Sequence, residues 1–197
     1  MKKGPWFLCV LALTSTIGCV WEEGTGENVD INVASYADFN AGGEWVFEDH
    51  SGDNSTTATY GGLQDVPGYA DPVHVLQFDH GDTLYFREDL SEKLYLAGTQ
   101  SDGVYSEALP LLRESFEAGR EYGPYETDDS DCGVFVVFER DNVSVPYDDF
   151  ERAVHAEVTT LCLGHLPKVR DYWFGKHVGL IKWVDDDGDT WYLHERN

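Results

Sequence analysis

From Gly43 to the C-terminus the chain runs in short apolar or alternating stretches, each closed by turn residues after about ten residues. Glu44-Trp45-Val46-Phe47, Thr56 to Tyr60, Val73 to Phe78, Thr83 to Arg87, Lys93 to Gly98 and Gly103 to Tyr105 follow one another in this way. A half-buried strand needs only alternation over a few residues, whereas a core helix needs a longer run at three-to-four spacing, which the breaks do not allow. Asp79-His80-Gly81-Asp82 supplies one hairpin turn. The clearest hairpin is the last, Val178 to Val184 and Thr190 to His194 joined by Asp185-Asp186-Asp187-Gly188-Asp189, whose Asp-Gly step accepts positive φ. Leu109-Pro110-Leu111 is apolar but interrupted by proline, which suits a sheet edge. One helical turn around Leu111 to Ala118 is the only helix the pattern admits. The expectation is an all-β chain, a single antiparallel sheet that is strongly curved or a half-barrel, over residues 37–197 with little helix.

The core such a sheet needs is present. Hydrophobic residues make up 42 % and aromatics 14 %, which separates this chain from disordered ones despite its charge. Ahead of it, Met1-Lys2-Lys3 and an apolar run to Gly18 have the form of a secretory signal peptide, too short to cross a bilayer as a helix. The Thr16-Ile17-Gly18-Cys19 junction resembles the lipobox of bacterial lipoproteins. That resemblance implies removal of residues 1–18, acyl chains (palmitate among them) on Cys19, and a membrane partner reached through the lipid. Val20 follows the cysteine where an inner-membrane retention signal would place aspartate, so outer-membrane anchoring is expected. Cleavage after Gly18 to a soluble secreted protein is the alternative. Residues 19–36, rich in Gly and Glu and without period, read as a flexible tether. The net charge of −24 becomes −26 once Lys2 and Lys3 leave, which excludes nucleic acid as a partner because phosphates need Lys and Arg.

Cys132 and Cys162 remain as an even pair in an oxidising compartment. Val134 to Phe138 and Ala153 to Val158 are β-rich and flank Val145-Pro146-Tyr147-Asp148-Asp149-Phe150. A hairpin folded there pairs residues whose numbers sum to about 295, which sets the two cysteines opposite each other at disulfide distance. Arg140-Asp141-Asn142 is a second turn signal that could shift the register.

Chemistry is harder to find. Asp185 to Asp189 fails as a calcium loop, because Trp183 and His194 stand where acids are required, and reads as a hairpin tip of solvated carboxylates. His74, Asp79, His80 and Asp82 are the nearest to a metal cluster, yet both aspartates suit a turn, and no metal or cofactor is expected. No nucleophile motif is present, and Cys162 near His155 and His165 is better used in the disulfide. Tyr85, Tyr95, Trp173, Trp183 and Trp191 suit sheet packing or the lining of a ligand groove.

Val143-Ser144-Val145-Pro146-Tyr147-Asp148-Asp149-Phe150-Glu151-Arg152-Ala153 resembles the V-x-V-P-A-G-x-F-x-x-A turn of a group of uncharacterised secreted bacterial proteins. Tyr172-Trp173-Phe174-Gly175-Lys176-His177-Val178-Gly179-Leu180-Ile181-Lys182 resembles that group's Y-[WY]-[FY]-A-K-G-V-G-L-V-K segment, with His177 where the group has glycine. Leu84 to Gly98 fits its aromatic hairpin. The resemblance implies a curved antiparallel sheet akin to the half-barrels of lipoprotein carriers, with no catalytic residues to carry over. The function expected is that of a cell-envelope lipoprotein, more a binder than an enzyme, holding an apolar ligand or an envelope protein on the concave face near Leu84-Tyr85-Phe86, Leu94-Tyr95-Leu96 and Leu180-Ile181. The alternatives are a hydrolase with a dispersed site drawn from His155, His165 and Asp148, and a purely structural surface lipoprotein.

Overall fold

The structure, a computed structural model, describes residues 26–39, 43–79, 81, 83–89, 93–100, 103–126, 131–185 and 188–197. The signal segment, Cys19 and the first part of the expected tether lie outside the described residues. The strands are β1 (Asn28–Asp30), β2 (Glu44–Asp49), β3 (Ser55–Gln64), β4 (Val73–Phe78), β5 (Thr83–Asp89), β6 (Lys93–Thr99) and β7 (Gly103–Arg113). They continue with β8 (Ser115–Glu117), β9 (Glu121–Glu126), β10 (Cys132–Ser144), β11 (Asp149–Cys162), β12 (Lys168–Gly175), β13 (Gly179–Val184) and β14 (Thr190–Arg196). Alternation decides their faces: β3 buries Thr56, Ala58 and Tyr60, and β10 buries Val134, Val136 and Phe138, while the residues between them turn away.

Twelve strands form one antiparallel sheet in the order β7-β6-β5-β4-β3-β2-β14-β13-β12-β11-β10-β9. Nearly every neighbour is also a sequence neighbour, as hairpins require. The exception is β2 against β14, which joins the two halves through the first and last strands of the sheet. The edges β7 and β9 then approach each other, with the Arg113 guanidinium 4.3 Å from the centre of the Tyr122 ring. The sheet is thus curved almost into a barrel, as the strand pattern predicts.

Two local expectations change. The helical turn around Leu111 to Ala118 is instead the end of β7, a break at Glu114 and β8, with Leu111 and Leu112 fully buried. More consequential is the N-terminal segment. Val29, Ile31, Val33 and Tyr36, read within the tether, are core residues, β1 pairs with β8, and the Ile31 N–H donates to the Glu114 carbonyl at 2.8 Å. Its alternation is short and its partner β8 has three residues, so the sequence does not announce the pairing. Phe39 continues the plug, its ring 5.1 Å from His74 and 5.5 Å from Phe86.

The concave face is therefore filled. Leu84, Phe86, Leu94, Leu96, Leu180 and Ile181, expected to line an accessible apolar groove, are each 7 % exposed or less. Trp183 stacks on Trp191 inside, with ring centres 5.8 Å apart, and Phe78 packs against Trp183 at 5.3 Å. The outward face of β2 and β10 to β14 carries Glu48, Glu139, His155, Lys182 and Tyr192, the reverse of the apolar exterior of a transmembrane barrel.

The β10–β11 hairpin holds the register expected of it. Cys132 faces Cys162 with Cα atoms 4.0 Å apart, and the two are bonded. That register persists to the Asp141/Ala153 pair and slips before Val143/Phe150, where Glu151 and Arg152 of β11 oppose Asn142 alone, so Arg140-Asp141-Asn142 continues β10 beside a bulge in β11 rather than turning. The two segments of the resemblance meet here. The Phe150 ring lies against Gly175, where a Cβ would stand 2.6 Å from ring carbons.

Candidate functional site

Because β10 to β14 and β2 are in register, one row of outward side chains crosses six strands: Glu139, His155, Trp173, Lys182, Tyr192 and Glu48. Asp141 stands two residues from Glu139 on β10, and Asp171 two from Trp173 on β12, so both share this face. The His155 imidazole is the centre. Its Nε2 is 2.6 Å from Asp171 Oδ1, and its ring lies flat on the Trp173 indole, with centres 4.2 Å apart and planes 4° from parallel. The Trp173 Nε1–H donates to Asp141 Oδ2 at 3.1 Å, and that same oxygen stands 3.5 Å from His155 Nδ1. Nδ1 is closed to solvent and has no hydrogen-bond partner among the described residues. Beyond Trp173, the Lys182 ammonium sits 4.0 Å from the indole centre.

Four carboxylates surround this one imidazole: Glu139, Asp141, Asp171 and Glu157, the last paired with Asp171 across β11 and β12. Their crowding shows in Glu157, which burial, and then the neighbouring Asp171, hold above the ordinary carboxylate range; Glu139 adds to the rise and His155 counters it. A site with this excess of negative charge attracts cations. The His155–Asp171 pair is also the base-and-orienter half of a catalytic triad, but Asp171 occupies Nε2 and, among the described residues, no hydroxyl or thiol bonds to Nδ1.

The other sequence candidates lie apart. Asp148 is in the β10–β11 turn, accepting from the Asp149 N–H at 2.8 Å, and His165 is exposed in the turn after Cys162. Neither approaches the His155 cluster as the dispersed hydrolase site required. His74 is half-buried beside Phe39 with Nδ1 2.6 Å from Tyr60 Oη and Nε2 3.8 Å from Glu88, and Asp79 accepts from Thr56 Oγ1 at 2.8 Å. His80 and Asp82 lie outside the described residues, as do Asp186 and Asp187. Asp185 closes the last hairpin by accepting from the Asp189 N–H and the Trp191 indole, each at 2.9 Å. Sequence reasoning named His155 and Trp173 but missed Glu139, Asp141 and Asp171. The register that pairs Cys132 with Cys162 also sets Glu139 opposite His155, and that was the available signal.

No protein family and no curated protein matches the sequence. Two solved structures are similar in fold. One is a Bacteroides fragilis protein described as exported and as having a YmcC-like fold, with 10 % identity, a TM-score of 0.46, and coverage of 82 % of this chain and 98 % of that one. The other is described as a lipoprotein from Parabacteroides distasonis, with 12 % identity, a TM-score of 0.37 and the same coverage.

Proposed function

We propose that this is a lipid-anchored cell-envelope protein that acts without catalysis, binding a cationic ligand on the outward His155 face rather than an apolar ligand inside the sheet. The observation that carries the reading is the gathering of four carboxylates around one imidazole on the face opposite a filled interior. The anchor is supported by the signal segment and the lipobox-like Thr16-Ile17-Gly18-Cys19. Cys19→Ala should move the protein from the membrane to the soluble fraction, since acyl chains hold a protein by about 0.8 kcal/mol per buried CH₂.

Binding is tested on the full chain by following the Trp173 indole N–H resonance while spermidine, and separately Mn²⁺, is added. That proton sits on Asp141, so a cation held by the cluster must shift or broaden it. If neither probe moves it, the reading fails.

A further inference from the structure

We infer that the cation is a divalent transition-metal ion, held by His155 Nδ1 and the carboxylates of Glu139 and Asp141 and oriented through Asp171. The inference rests on the reading of this face as a cation site and names its occupant. The three side chains each offer one ligand atom, and these atoms lie within 4.8 Å of one another. Two ligands about 2.1 Å from one tetrahedral ion are about 3.4 Å apart. His155 Nδ1 and Asp141 Oδ2 are 3.5 Å apart.

That separation argues for a metal against the simpler account of a second hydrogen bond. A proton on Nδ1 shared with a carboxylate draws the two atoms to about 2.8 Å. Asp141 Oδ2 stays farther away and takes its hydrogen bond from Trp173 instead. In the tautomer that donates Nε2–H to Asp171, Nδ1 turns a bare lone pair toward the Asp141 carboxylate oxygen, and two acceptors face each other. A cation between them removes the conflict. The arrangement is also the usual support of a metal-bound histidine, with the far ring nitrogen given to a carboxylate that fixes tautomer and orientation.

The ligands stand on a stiff frame. Glu139 and His155 are a direct cross-strand pair, Asp141 stands in the last in-register pair before the slip, and Trp173 fixes the plane of the imidazole. Glu139 is exposed and Asp141 partly so, which leaves an approach from solvent and room for water to complete the coordination. One nitrogen and two carboxylates suit Zn²⁺ or Mn²⁺. Calcium, which seeks six to eight oxygens, is disfavoured.

The test is calorimetric titration of the full chain with Zn²⁺ and with Mn²⁺, joined to the Mn²⁺ broadening of histidine ring resonances in the unaltered protein. One ion per chain is expected, with the His155 ring broadened before those of the other histidines. His155→Gln and Asp141→Asn should weaken binding by more than about 100-fold, and Asp171→Asn by about 10–100-fold. Asp148→Asn, in the distant turn, should change nothing, and Ca²⁺ should not displace the ion. Zn²⁺ binding untouched by His155→Gln, or Mn²⁺ that leaves the His155 ring sharp, overturns the inference; the broadening needs no variant to fold. Spermidine binding without metal binding leaves the cationic-ligand reading standing and removes the metal. Binding of neither removes both.

Discussion

His177 holds a backbone conformation that its side chain resists. Its φ is 64°, in the left-handed region, at the position where the resembled segment has glycine. A non-glycine residue there costs about 1–2 kcal/mol. Glycine relieves that but loses about 0.5–1 kcal/mol in chain entropy. His177→Gly should therefore stabilise the protein modestly, raising Tm by roughly 1–4 °C for a domain of this size; differential scanning calorimetry checks it, and a lower Tm would show that the imidazole makes a contact worth more than the strain. His74 presents the opposite case of a side chain whose burial matters. Burial holds its pKa below the ordinary 6.5, with Glu88 countering, so the unfolded chain takes up the proton first as pH falls. Stability is then fully present above about pH 6.5 and is lost as pH falls from there through the folded value. Glu157, held above 4.5, contributes the reverse slope, losing stability as pH rises through its window. Urea unfolding of the native protein and of His74→Gln across this range separates the two. The variant should show the weaker loss on acidification, and an identical slope would contradict the assignment.

Among the elements, the β10–β11 hairpin carries both the covalent bond and two of the proposed ligand strands. The disulfide closes a sequence separation of 30 residues, which in the chain-entropy model stabilises by about 3–4 kcal/mol. The Cys132→Ala/Cys162→Ala double variant should lose about that much in urea unfolding, and addition of reductant should then shift the native protein but not the variant. This hairpin also shows what could be read in advance. Strand alternation, the turn at Val145 to Asp149 and one register were enough to pair the cysteines, because a hairpin is local and its period is two. The β11 bulge at Glu151-Arg152 was not readable as such, since Arg140-Asp141-Asn142, on the other strand, carries the residues a turn would. The candidate site was only half legible for a different reason. Its residues come from β10, β11 and β12, one or two from each, and no motif search joins Glu139, Asp141, His155 and Asp171 until the lateral register of three strands is known. Likewise Val29-Asp30-Ile31-Asn32-Val33 alternates as a strand should, but its proper partner, β8, is a three-residue strand that sequence did not reveal.

For the whole molecule that last element is decisive, because a sheet curved this far must fill its own interior. Glu44 and Asn197 exchange backbone hydrogen bonds, at 2.9 and 3.2 Å, and zip the first sheet strand to the C-terminus. The Val29 to Phe39 segment fills the interior and is tied to this C-terminal strand by the Arg196 guanidinium, which donates to Asp38 Oδ2 at 3.0 Å, with Val33 fully buried and the Tyr36 hydroxyl accepting from Arg140 Nη1 at 2.6 Å. The same segment that leads from the expected lipid anchor thus completes the core. Two outcomes follow. The native protein should neither bind 1-anilinonaphthalene-8-sulfonate nor retain lipid through purification, since its apolar strands face inward under cover. Deletion of residues 28–39 should uncover the Phe86 and His74 side of the interior and create dye binding, with loss of near-ultraviolet dichroism if packing fails altogether. Val33→Asp tests the same point without shortening the chain, because a carboxylate at a fully buried position either remains there at a cost of several kcal/mol or drives the segment out. Dye binding by the intact protein, or a Val33→Asp variant as stable and dye-free as the parent, would mean that the N-terminal segment leaves the interior in solution, and would return the concave face to consideration as a ligand site.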